Sequence, residues 1–90
     1  MKLMKSHNPD KKWDAIFDDG KIVSFGASGY DDYTLTHDKA QRDRYRLRHK
    51  KDLKTGDVRS PGYLSYYILW GDSTNMETNR LAYQRKFGVR

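Results

Sequence analysis

Two sets of side chains in this sequence are of types that do chemistry. The first is a run of cations between His37 and Lys51, HDKAQRDRYRLRHKK, in which Lys39, Arg42, Arg44, Arg46, Arg48, Lys50 and Lys51 face two acids, Asp38 and Asp43. The segment is net +5 in a chain of net charge +6, so the basic character belongs to this one stretch. Cations at this density neutralise phosphates and release condensed counterions, which gives affinity with a steep salt dependence. Arg outnumbers Lys four to three, and Arg makes the better two-pronged phosphate contact. Pairs at i, i+4, Asp38 with Arg42 and Lys39 with Asp43, would occupy only two of the seven cations.

The second set is acidic and imidazole: Asp31-Asp32, and His37 beside Asp38. Adjacent carboxylates bind a divalent cation or raise one another's pKa, and a small nuclease could be written with Asp31, Asp32 and His37. The spacing argues against it. His7, His37 and His49 stand at no metal-ligand interval. A general base needs a concave, partly dry pocket that a short chain has little room to build. Acids just ahead of a basic helix are more often solvated or paired with its arginines. The expectation is a non-enzyme with no catalytic residue, no metal and no cofactor. The Gly26-Ala27-Ser28-Gly29 loop could offer backbone N–H groups to a phosphate, but it lacks the Gly-Lys-Ser/Thr ending of a nucleotide-binding loop and reads as a tight turn.

The elements that must position these residues follow from periodicity and punctuation. Met1–Lys11 is polar, with Pro9, and reads as a flexible arm (1–11) ahead of a single domain (12–90). Trp13, Ala15 and Phe17 alternate as in a strand, Asp18-Asp19-Gly20 is a turn signal, and Ile22, Val23 and Phe25 form the return strand of a hairpin. Two strands alone are marginal in water, so a helix or a partner must cover one face. Thr36 is a plausible N-cap for a basic helix running to about Lys50 and spanning ~20 Å. Ala40 and Leu47 share its expected packed face, Arg42, Arg46, His49 and Lys50 its opposite side, with Arg44 and Arg48 flanking the packed stripe.

Asp52–Arg59 reads as a polar linker. Ser60-Pro61 opens a second helix and Gly71 closes it. Within it Tyr63, Tyr66, Tyr67 and Trp70 lie at i, i+3, i+4 and i+7; such rings could stack bases, but one helical face in a core or a dimer interface is the stronger reading. Thr74-x-x-Glu77 reads as a capping box for a third helix to about Phe87, stopped by Gly88. The expected architecture is one small α+β domain of order β-β-α-α-α.

Composition agrees with a small, aromatic-rich core. Only 36% of the residues are hydrophobic and 33% are charged, with seven Tyr, three Phe and two Trp. A pI near 9.6 favours an anionic partner, nucleic acid before membrane. The absence of cysteine fits an intracellular or virion-interior protein. No signal peptide or membrane span is expected.

Four segments together carry a resemblance: KIVSFGASGYDDYT (21–34), RDRYRLRHKK (42–51), LSYYILW (64–70) and LAYQRKFGV (81–89). In combination, across Trp13 to Val89, they resemble a family of small uncharacterised proteins of nucleocytoplasmic large DNA viruses, of chlorella virus, mimivirus and marseillevirus type. The chain departs from that pattern at Asp52-Leu53-Lys54-Thr55-Gly56, where a Trp-containing linker is common, and at Tyr66-Tyr67, where Arg-Trp is common. The resemblance carries no catalytic role. It implies a viral setting: a virion interior, the host nucleus or a cytoplasmic viral factory.

The sequence therefore leads to a small basic DNA-binding protein of a large DNA virus that contacts double-stranded DNA and helps to package the genome. Arg42, Arg44, Arg46, Arg48, Lys50 and Lys51 are the expected phosphate contacts. The alternative is a structural protein whose aromatic run forms a homodimer and whose basic helix binds an acidic protein.

Overall fold

The computed structural model describes every residue from Met1 to Arg90. Its framework is a three-stranded antiparallel sheet, β1 (Lys2–Lys5), β2 (Lys11–Ile16) and β3 (Ile22–Ala27), in the order β1-β2-β3. Helical segments follow: a single turn α1 (Tyr33–Thr36), the basic helix α2 (Lys39–His49) with a 3-10 extension Lys50–Thr55, α3 (Pro61–Leu64) continuing as π-helix through Ser65–Leu69, and α4 (Met76–Phe87). The fold is α+β. No helix is long and apolar enough to cross a membrane.

The β2–β3 hairpin turns at Asp18-Asp19-Gly20. The Phe17 N–H donates to the Lys21 carbonyl at 2.9 Å, and Gly20 takes the positive φ (92°) that the turn needs. Pairing of Trp13 with Phe25 and Ala15 with Val23 puts Ala15, Phe17 and Phe25 on the covered face.

The expected N-terminal arm is instead the third strand. Leu3 pairs with Ala15 and Met4 with Asp14, Leu3 and Met1 pack on the core, and the Met1 carbonyl accepts from Arg80 at 3.1 Å. The mismatch has a physical cause: β1 is an edge strand with only one apolar residue turned inward, so its sequence carries almost no alternation.

Leu64, Ile68, Leu69, Trp70 and Tyr83 from the helices close over Ala15, Phe17 and Phe25. Ser60 caps α3 by accepting from the Tyr63 N–H, with Pro61 at the first helical position. The helix then widens, and the Trp70 N–H donates to the Ser65 carbonyl at 3.0 Å. The widened turn leaves the Ile68 carbonyl to the buried Asn79, whose Nδ2 donates to it at 2.8 Å and to the Ser73 carbonyl at 2.7 Å. A Cβ on Gly71 would lie 2.3 Å from the Tyr67 carbonyl oxygen, so only glycine fits this exit. The widening also changes which residues are inside. Tyr63 and Trp70 are buried, but Tyr66 and Tyr67 are only half-buried, and Leu64, Ile68 and Leu69 fill the core.

Two caps differ by a residue or two from the sequence expectation. Asp38, not Thr36, caps α2 by accepting from the Gln41 N–H at 3.1 Å, because residues 33–36 already form α1 and His37 (φ 56°) turns the chain between the two. Asn75, not Thr74, caps α4, and Glu77 pairs with Arg80 rather than closing a capping box.

Candidate nucleic-acid interface

Helix α2 stands against the aromatic helix, α3 with its π-helical continuation to Leu69, with Tyr45 as its anchor. The Tyr45 ring stacks on Trp70 (centroids 4.2 Å apart, 8° between planes) and on His49 (4.0 Å, 19°). Burial pushes the Tyr45 hydroxyl up to about 12. Once Tyr45 and His49 face inward, the 3.6-residue repeat turns Arg42 and Arg46 inward as well.

Those two guanidinium groups lie at the C-terminal end of the aromatic helix, where carbonyls lack intrahelical partners. Arg46 donates through Nε to the Trp70 carbonyl at 2.7 Å and pairs with Asp72 at 2.8 Å. The Arg46 contact holds the Asp72 carboxyl below the usual aspartate range. Arg42 is 7% exposed; it donates to the Asp72 carbonyl and to Asp43, and its guanidinium carbon sits 4.8 Å from the centre of the Tyr33 ring.

This reverses the expected orientation of the helix. Ala40 and Leu47, assigned to the packed face, are exposed, Leu47 by 79%. Arg42 and Arg46, assigned to the free face as phosphate contacts, are structural ties. The signal available in the sequence was Tyr45 with His49 at i, i+4, larger than Ala40 with Leu47. The inward face also uses the aliphatic stems of arginines, which an apolar count passes over.

The other four expected contacts, Arg44, Arg48, Lys50 and Lys51, are exposed, and none forms a hydrogen bond or ion pair. Arg44 and Lys51 each lie three or four residues from both Leu47 and Arg48 on the outward face, with Lys39 exposed at the N-terminal end.

Arg48 also reaches the rim of a cleft of about 410 Å³ bounded by α2, the aromatic helix and the loop after β3. Its wall includes Tyr45, His49, Trp70 and Lys12. An adjoining cleft of about 590 Å³ is lined by Lys5, Lys11, Trp13 and Tyr30.

The acids of the nuclease reading do not assemble. Asp32 is sealed (1% exposed), caps α1 through the Thr34 N–H and pairs with Lys12 at 2.7 Å. Asp31 and His37 are exposed, and no three His, Asp or Glu side chains gather as a metal-binding group.

A polar cluster that sequence reasoning missed lies on β2. Asp14 is 5% exposed and accepts from the hydroxyls of Ser6 and Ser24, each at 2.6 Å, and it meets His7 Nδ1. The Ser24 hydroxyl first, then that of Ser6, holds the Asp14 carboxyl far below the aspartate range. Both hydroxyls donate to the carboxylate and neither meets the imidazole, so the set is not arranged as a nucleophile with its base. It ties the β1–β2 turn to β3, and only the strand register brings the four residues together.

Comparison with known proteins gives one match, the model of a family of unknown function, DUF5754, over residues 1–49. The chain belongs to the DUF5754 family. The matched part runs from β1 to the end of α2, so the family covers the whole sheet and the entire basic helix. No curated protein and no solved structure matches the chain. In this DUF5754 protein the aromatic helix, on whose end Tyr45 and Arg46 dock, and α4 both lie beyond the matched residues.

Proposed function

We propose that this protein is a small non-enzymatic nucleic-acid-binding protein that grips phosphates with the outward face of α2 and the start of its 3-10 extension. The observation that carries the reading is the set Arg44, Arg48, Lys50 and Lys51, solvent-facing and without internal partners, on a helix whose other face is fixed by Tyr45, Arg42 and Arg46. A rigid helix with free cations can lie along a duplex backbone without reading bases, and such contacts position a protein rather than select a sequence. Double-stranded DNA is the proposed partner. The viral setting, and with it a part in packaging a large genome, rests on the segment resemblance described above.

The test is a mobility-shift titration of duplex DNA at two salt concentrations. Four phosphate contacts give a slope of log K against log salt of about −4. No duplex affinity at low salt, or a slope near zero, rejects the reading. Binding to an acidic protein with no affinity for DNA, together with a dimeric mass in solution, would favour the interaction protein instead.

A further inference from the structure

Tyr30 is 73% exposed on the rim where the two clefts adjoin, and it lines both of them. No core residue packs on it, and it stacks on no other ring. The loop that carries it is shaped by Gly26 and Gly29 at positive φ (77° and 82°). At Gly26 the backbone comes so close to the core that a Cβ would sit 2.7 Å from Leu69 Cδ1. An aromatic ring is thus held out over a trough by a backbone docked on the core.

The charges along the trough do not cancel. Lys5 and Lys11 in the outer cleft and Arg48 in the inner one have no carboxylate partner. Lys12 and Asp32 neutralise each other, which leaves Asp31 as the one free acid against three free cations. Trp13 at one end, and Tyr45 with Trp70 at the other, give the floor flat apolar area.

We propose, building on the nucleic-acid reading above, that this trough takes a short stretch of single-stranded nucleic acid, with Tyr30 as its stacking platform and Lys5, Lys11 and Arg48 as its phosphate contacts. Unpaired bases stack on protruding aromatic rings, and a positive groove tracks the backbone between them. A duplex keeps its bases stacked on one another and has no use for Tyr30; it meets the outward face of α2. Arg48 belongs to both surfaces and joins them, which suits a junction between paired and unpaired strands. An acidic peptide would satisfy the cations but would leave the aromatic rings without flat partners.

Fluorescence anisotropy on the full chain separates these cases, with a labelled oligothymidylate of about a dozen nucleotides and a blunt duplex as probes. Tyr30→Ala is expected to weaken oligothymidylate binding roughly tenfold or more and to leave the duplex within about twofold. Tyr30→Trp should restore the loss, and the double change Arg44→Ala with Lys51→Ala should weaken duplex binding. Circular dichroism checks that the Tyr30 variants fold. The proposal is overturned if Tyr30→Ala leaves oligothymidylate affinity unchanged, if it weakens both probes equally, or if polyglutamate displaces the oligonucleotide as readily as unlabelled oligothymidylate does. Wild-type protein that binds duplex but not oligothymidylate overturns this inference and leaves the proposed function standing; binding to neither probe overturns both.

Discussion

The two faces of α2 carry the same residue type for opposite purposes. Inward, Arg42 and Arg46 donate to the carbonyls of Asp72 and Trp70 and lean on the rings of Tyr33 and Tyr66. Outward, Arg44 and Arg48 form no hydrogen bond or ion pair. The guanidinium group allows both uses, because its fork fills several acceptors when buried and stays charged when free. A count of basic residues overstates what is available to a polyanion: of four arginines in the helix, two are already engaged inside the domain.

Breaking the inward face should have the largest effect. Arg42→Ala with Arg46→Ala removes hydrogen bonds from charged groups and leaves the Trp70 and Asp72 carbonyls without their donors. Such bonds contribute about 1.5–3 kcal/mol each, so the double variant should lose on the order of 3 kcal/mol or more. In a domain with a total stability of about 5 kcal/mol, that is most of the margin. Urea denaturation followed by circular dichroism reads it directly. A midpoint unchanged by the double substitution would show that these arginines are not ties.

Breaking the outward face should change binding and spare the fold. Arg44→Ala with Arg48→Ala should move stability by no more than about 0.5 kcal/mol, since neither side chain has a partner to lose. The same variant should make the salt slope of duplex binding shallower by about two. A variant that unfolds at lower urea, or binds duplex with an unaltered slope, would erase the distinction between the faces.

How much of this could be read from the sequence depended on whether the signal was local. The β2–β3 hairpin was legible because Asp19-Gly20 encodes its own turn, and α3 because Ser60-Pro61 encodes its own start. The basic segment was legible as a helix but not in orientation. The stack of Tyr45 on Trp70 that decides its rotation joins residues 25 positions apart in the sequence. Of the six expected phosphate contacts, Arg44, Arg48, Lys50 and Lys51 remain available and Arg42 and Arg46 do not. The Asp14 cluster and the docking of β1 were illegible for the same reason, since both exist only once the strands are in register. Tyr30 was illegible too, because exposure of a large ring cannot be read from its neighbours in the chain.

The smallest effect expected is a pH effect, and it tests how the inward face is held. Asp72 has a folded-state pKa lowered chiefly by its hydrogen bond from Arg46. A lowered folded pKa means the folded state binds the proton less readily than the unfolded chain. The stabilisation is therefore complete above the ordinary aspartate range and is lost as pH falls through about 4 and below. Asp72 is largely solvated, so its share should be modest. Asp14, held lower still by Ser24 and Ser6, works in the same direction and should dominate the acid limb. Asp72→Asn should flatten the dependence of the urea midpoint on pH only slightly, whereas Ser24→Ala should shift the acid limb to higher pH. The Trp70 carbonyl does not titrate, so Arg46 keeps its stronger anchor at any pH where the fold survives. If Asp72→Asn proved as damaging as Arg46→Ala, the ion pair and not the helix terminus would be what holds that arginine inward.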